Sequence, residues 1–163
     1  MPWDRGHASN LARGPEFLEA LGMPSSLALR LRDALVGLQP GHPDRVEALR
    51  GLYADDTVFR DPIQEIHGLD AFIEMNHRLL GRARSLDWEI RAMQGDEDEV
   101  FLEWTMRGKA RLGPALSLEG ATRATARGGK IVHHRDYWDF GELLASGLPG
   151  GMRLLHLLRG PLG

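Results

Sequence analysis

Between Leu27 and Leu38 the apolar residues return every three or four positions. Leu27, Leu31, Leu35 and Leu38 share one side, with Arg30, Arg32 and Asp33 between them. That spacing predicts an amphipathic helix, stopped by Gln39-Pro40-Gly41. An earlier short helix is predicted at "PEFLEALG", from Pro15 in its first turn to Gly22 at its end. "HPDRVEALRGLYADD" predicts another, with Pro43 early and Val46, Leu49 and Leu52/Tyr53 on one face. "TVFRDP" reads as a short strand. "GLDAFIEMNHRLLGRAR" reads as a helix marked by Leu69, Phe72, Ile73, Met75/Asn76 and Leu79/Leu80.

After this helix the period changes to two. "SLDWEIRAMQG" alternates Leu86, Trp88, Ile90 and Ala92 against Asp87, Glu89 and Arg91. "EVFLEWTMRGKA", "LSLEGATRATA" and "KIVHHRDYWDF" predict further strands, separated by turn-like runs at 95–98 and 127–130. Helices precede long strands, which predicts an α+β fold with helices packed on one face of a mainly antiparallel sheet. The organisation expected is a loose arm over 1–14, one domain over 15–146 and an apolar helical tail over 147–163, cut at Pro149-Gly150-Gly151.

Composition narrows the function. The 163 residues carry a net charge of -3 and no cysteine. Disulfides, thiolate nucleophiles and Cys-ligated zinc are therefore excluded, and no overall field favours nucleic acid. The N-terminal residues have no apolar stretch of the kind a secretory signal needs. No run approaches the roughly 18 apolar residues of a membrane span. A cytoplasmic protein without stable membrane insertion is expected. No glycine-rich dinucleotide or phosphate loop is present, so no cofactor is expected.

Candidate chemistry collects at two places. Asp61 stands before Pro62, which pushes its backbone toward an extended form. It is either a turn former or a base with a fixed direction. In the last strand, alternation puts Val132, His134, Asp136 and Trp138 on one face and Ile131, His133, Arg135 and Tyr137 on the other. The adjacent His133 and His134 point apart, a poor metal pair, and no metal site is expected. Trp88 and Trp104 are strand aromatics, read either as core or as the wall of an apolar ligand site. Seven Lys or Arg but one acid, Glu119, lie between Thr105 and Arg135. They read either as a solvated sheet face or as a site for an anionic ligand. Met152, Leu154, Leu155, Leu157 and Leu158 of the tail fall in one short helix, read either as docking on the domain or on a second subunit, or as a weak membrane-surface contact.

"YADDTVFRDP…IHGLDAFIEM" together with "GGKIVHHRDYWD" resembles the nuclear transport factor 2-like superfamily, which includes ketosteroid isomerase and the SnoaL-like polyketide cyclases. The resemblance covers roughly residues 26–140. It implies a cone in which a curved sheet wraps against helices around an apolar pocket, and a homodimer formed through the outer sheet face. The ligand it implies is a small apolar or acyl molecule, and Tyr53, Phe59, Asn76, Trp104 and Trp138 are the candidate lining residues.

In ketosteroid isomerase the Asp of the Asp-Pro step is the general base, and Asp61 matches it. Its partners there are a Tyr and a protonated Asp that form the oxyanion hole. This chain departs from that pattern. An ungapped count places the acidic donor at Ala121 and the Tyr near Leu35 or Val36. Losing one such donor typically costs about 10²–10³ in rate, which argues against the same steroid reaction. The aromatic at the pocket position is Trp138, so His134 and Asp136 are expected to point inward with it. A trio of Asp61, His134 and Asp136 suits proton abstraction, dehydration or water activation. The alternatives are a structural polar network or an Asp136–Arg pair. Two functions therefore stand. One is a small-molecule isomerase, lyase, cyclase or hydrolase with Asp61 as base. The other is a non-catalytic ligand-binding or dimerisation module of the same fold.

Overall fold

The structure, a computed structural model, describes residues 24–112 and 115–146, with side chains of the last helix as far as Leu143. The expected arm, the helix at 15–22 and the tail over 147–163 lie outside the described residues. Helix α1 spans Ser26–Gly37. Ser25 caps it by accepting from the Ala28 N–H at 3.1 Å, and Glu97 reaches in from a hairpin to accept from the Ser26 N–H at 2.8 Å. A carboxylate suits that end, where the helix dipole is positive. Helix α2 (Pro43–Glu47) begins with proline at its first turn and tightens into a 3₁₀ turn over Ala48–Gly51.

Strand β1 (Tyr53–Arg60) begins where the sequence predicted the second helix to continue. Tyr53 therefore belongs to the sheet, not to a helix face. The chain leaves helical geometry after Leu52, whose carbonyl accepts from the Ile131 N–H at 2.9 Å. Asp55 and Asp56 disguise the strand. They are exposed, and they lie in an irregular stretch where pairing steps from Tyr53–Ile131 to Val58–His133. A short strand β2 (Glu65–His67), not predicted, pairs antiparallel with β1. Helix α3 (Leu69–Arg82) follows Gly68, whose φ of 88° favours a residue without Cβ.

Strands β3 (Ala83–Gly95), β4 (Glu99–Ala110), β5 (Ala115–Arg127) and β6 (Lys130–Trp138) follow as antiparallel neighbours. The six strands run in the order β2-β1-β6-β5-β4-β3, and only the β1–β6 pairing is parallel. Helix α4 (Phe140–Ser146) ends the described chain. The architecture is α+β, a curved sheet with helices against its inner face.

The core lies between that face and the helices. Leu27, Leu31 and Leu35 of α1 and Phe72 and Ile73 of α3 are buried with Phe59, Leu102, Trp104 and Leu118 of the sheet. Strict alternation fails once in β6. The β5 pairing shifts between Thr125–His133 and Ala126–Ile131, leaving Val132 as an extra residue. This bulge turns Ile131 inward, fully buried, and leaves Val132 only half-buried.

The outer face is charged, and four of its arginines are paired with acids. Arg107 meets Glu89 at 2.7 Å, Arg91 meets Glu119 at 3.0 Å, Arg127 meets Asp56 at 2.9 Å, and Arg123 pairs with Glu99. The Arg107 guanidinium holds the Glu89 carboxyl below its ordinary range, and Arg127 does the same to Asp56. Of the basic run in the sequence, Arg107, Arg123 and Arg127 are thus paired with acids on neighbouring strands, while Lys130 donates to the Arg50 carbonyl and Arg135 lies over the Tyr137 ring.

Candidate functional site

Beyond the bulge, β6 alternates again. His134 and Asp136 face inward and the exposed Arg135 faces out. Two residues on one strand face reach the same layer of side chains, and here they bond directly, His134 Nε2 to Asp136 Oδ1 at 2.9 Å. On its other side His134 Nδ1 meets the Tyr53 hydroxyl at 2.7 Å. Thr122, opposite Asp136 on β5, gives its hydroxyl to the same Oδ1 at 2.5 Å. The Thr122 oxygen in turn accepts from the Trp104 indole N–H at 2.9 Å. Five side chains from β1, β4, β5 and β6 therefore form one continuous chain.

The proton positions follow from donor and acceptor capacity. A carboxylate only accepts, so the His134 hydrogen sits on Nε2 and Nδ1 accepts from Tyr53. Burial, then the negative charge of Asp136, pushes the Tyr53 phenol well above its ordinary pKa, which keeps that donor in place. Trp104 gives to Thr122, and Thr122 gives to Asp136. Both arms end on Asp136 Oδ1.

Depth differs along the chain. Tyr53, Trp104 and His134 are each 2% exposed, and the Asp136 side chain is 15% exposed. The carboxylate is thus the member nearest solvent. The deep members are walled by aromatic rings, with Phe59 5.2 Å and Phe72 6.1 Å from the His134 ring centre.

Gly120 makes the arrangement fit. It pairs with Trp104 across β4 and β5, and a Cβ there would stand 2.4 Å from the indole ring and 2.7 Å from the Tyr137 carbonyl oxygen. The absence of a side chain lets the indole lie over β5 and reach Thr122.

The candidate residues divide accordingly. His134 and Asp136 are brought into contact. Asp61 turns elsewhere. Its Oδ1 accepts from the N–H groups of Ile63 and Gln64 at 2.8 and 2.9 Å, and its Oδ2 accepts from the Gln64 side chain at 3.0 Å. This is the local side-chain-to-backbone turn that Asp favours. Tyr53, Phe59 and Trp104 are core residues. Asn76 is buried on α3 and donates to the Phe72 carbonyl at 2.9 Å. Trp138 is half-buried near Phe140, ring centres 6.3 Å apart.

Thr122 is the member that sequence reasoning missed. An ungapped count back from Lys130-Ile131 misses it by one residue, at Ala121. Ala121 pairs with Tyr137, and Thr122 is the inward residue at the level of Asp136. Leu35, near which the helix Tyr was sought, is buried, while Val36 is 41% exposed. Among the described residues no group of three or more His, Asp or Glu is placed to hold a metal ion. No helix among them is long and apolar enough to cross a membrane.

Comparison with known proteins agrees with this architecture. A family model for the SnoaL-like domain matches residues 41–134. No curated protein matches the chain. Among solved structures, a protein of ketosteroid isomerase-like fold from Catenulispora acidiphila DSM 44928, in complex with trimethylamine, is 22% identical, with a TM-score of 0.63 over 73% of this chain and 92% of its own. An LEH-like epoxide hydrolase of M. tuberculosis is 22% identical, with a TM-score of 0.63 over 83% of this chain and 98% of its own. A SnoaL-like polyketide cyclase candidate from Jannaschia sp. CCS1 is 19% identical, with a TM-score of 0.61 over 74% and 88%. At these identities the likeness is one of fold.

Proposed function

Because the chain belongs to the SnoaL-like domain family, we propose that it is a small-molecule enzyme whose proton-transferring group is the Asp136 carboxylate. The observation that carries this reading is the hydrogen-bonded chain from Tyr53 through His134 to Asp136, met at the same oxygen by Thr122. The two bonds fix the carboxylate and draw its charge onto Oδ1. Oδ2 is the oxygen assigned to the ligand. A carboxylate held this way can take a proton from carbon beside a carbonyl or from a water attacking an epoxide. His134 and Tyr53 are positioning residues, since they lie behind Asp136. Asp61 is assigned to its turn, because both of its oxygens are occupied there. The ligand is a small apolar molecule. A homodimer through the outer sheet face belongs to the same reading, with Phe101 and Tyr137 exposed there.

A second reading, a non-catalytic binding or dimerisation module, draws on the depth of the network. A polar chain with three members only 2% exposed also serves to fix one core arrangement. Turnover of 5-androstene-3,17-dione and of styrene oxide by wild type and Asp136→Asn separates the two. Turnover of either probe that falls about 10²-fold or more in the variant supports the enzyme. Turnover indifferent to the variant sinks Asp136 as the base. No turnover, with no small molecule retained in native mass spectrometry, favours the module.

A further inference from the structure

Trp88 lies on β3 opposite Met106 and meets Trp104 edge to face, ring centres 5.0 Å apart at 75°. Both indoles carry an N–H donor, but their fates differ. The Trp104 N–H is satisfied by Thr122. The Trp88 N–H is closed to solvent and has no hydrogen-bond partner. Buried donors are paired in the great majority of native structures, and one left unpaired costs free energy. The Trp88 ring touches Trp104, which is linked through Thr122 to Asp136. The other unpaired polar atom among the described residues, the Thr57 hydroxyl, belongs to the irregular stretch of β1 instead.

We propose that the Trp88 indole N–H is a ligand-binding donor, and that the ligand is a neutral, largely apolar molecule carrying an accepting oxygen such as a ketone, ester or epoxide. This rests on the reading of the inner face as the ligand site. An indole N–H only donates, so the ligand must supply an acceptor. Its surroundings are apolar, with the half-buried Ile90 and Met106 and the buried Leu118 nearby on the sheet. The charged group on this face is Asp136, which disfavours an anion. Arg91, Arg107, Arg123 and Arg127, which would favour one, pair with acids on the outer face. Because the N–H is shut off from water, its acceptor has to arrive with a molecule that enters between sheet and helices.

A matched pair of probes tests this, 2-tetralone and its hydrocarbon, tetralin. In a ¹H–¹⁵N correlation spectrum of the wild-type protein, the ketone should move the Trp88 indole proton downfield and tetralin should not. Trp88→Phe keeps a ring and removes the donor. It should weaken ketone binding about tenfold, the loss of one hydrogen bond, and leave tetralin unchanged. An unmoved Trp88 resonance in ketone-bound protein, or equal ketone affinity in the variant, overturns the proposal and leaves the ligand site standing. Failure of both probes to bind the wild type overturns the ligand-site reading, and the assignment of Trp88 falls with it.

Discussion

His134 Nε2 stands 2.9 Å from Asp136 Oδ1, two residues further along the same face of β6. One oxygen thereby holds two donors, since Thr122 reaches it too. Asp136→Asn can keep an accepting oxygen in that place but loses the charge that strengthens both bonds. Its expected cost is about 1–2 kcal/mol in urea unfolding, with turnover of a working substrate down about 10²-fold or more. Asp136→Leu removes the acceptor and strands the buried His134 N–H. It should cost roughly 1–3 kcal/mol beyond the Asn variant. Equal stability of the two variants would show that the network does not hold the fold.

The contact between Gly120 and Trp104 predicts a second cost. A methyl at 120 meets a rigid ring and a backbone oxygen below 3 Å, and neither is the flexible end of a side chain. Gly120→Ala should cost about 1–3 kcal/mol by overpacking. The displaced indole should also lose Thr122, which a shift of the Trp104 indole proton in the ¹H–¹⁵N spectrum would report. An unshifted resonance with unchanged stability would mean that the strands spread without strain.

The long strands were legible from their alternation, except that a bulge between Ile90 and Ala92 breaks β3, leaves Ala92 exposed where the period places it with Ile90, and packs Met93 against the core instead. "EVFLEWTMRGKA" matches β4 from Glu99 to Ala110. The helices at Leu27–Leu35 and Leu69–Leu80 were legible from their apolar spacing. The start of β1 was not, because two exposed aspartates at an irregular pairing break its period and leave Tyr53 looking helical. β2 is too short, at three residues, to show a period. Within the site, the inward direction of His134 and Asp136 could be read from alternation, since both lie beyond the bulge. That Thr122 meets Asp136 could not, because cross-strand register is a relation between two strands that neither sequence marks. The use of Asp61 was open in the same way. Asp-Pro permits a turn or an aimed carboxylate, and the hydrogen-bond partners that distinguish them lie two and three residues downstream.

Tyr53 predicts an alkaline limb. Its folded pKa is raised by burial, and next by the charge of Asp136. A raised acid binds its proton more tightly in the native state than in the unfolded chain, where Tyr ionises near roughly pH 10. The stabilisation is therefore complete below about pH 10 and is lost as pH rises toward the folded value, at up to about 1.4 kcal/mol per pH unit for this one group. Tyr53→Phe should be less stable at neutral pH by about 1–2 kcal/mol, because His134 Nδ1 loses its donor. It should also lose stability less steeply above pH 10. Parallel limbs for wild type and variant in urea titrations at pH 9–11 would show that Tyr53 ionises as readily folded as unfolded.

Asp61 allows the sharpest separation of turn from base. The parallel β1–β6 pairing ends at Arg60 beside Arg135, one residue before Asp61 and Asp136, and sequence position alone does not decide between them. Hydrogen bonding does. Asp61 Oδ1 holds the Ile63 and Gln64 N–H groups, an acceptor role that an Asn oxygen fills equally well. Asp61→Asn should thus stay within about 0.5 kcal/mol of wild type, whereas Asp61→Ala should lose about 1 kcal/mol with the turn. Turnover per folded molecule should be unchanged in both. If Asp61→Asn instead kept its stability and lost about 10²-fold in turnover, the carboxylate charge at 61 would be required for the chemistry. The base would then be Asp61, released from its turn when the ligand binds, with Asp136 as the fixed partner beside it.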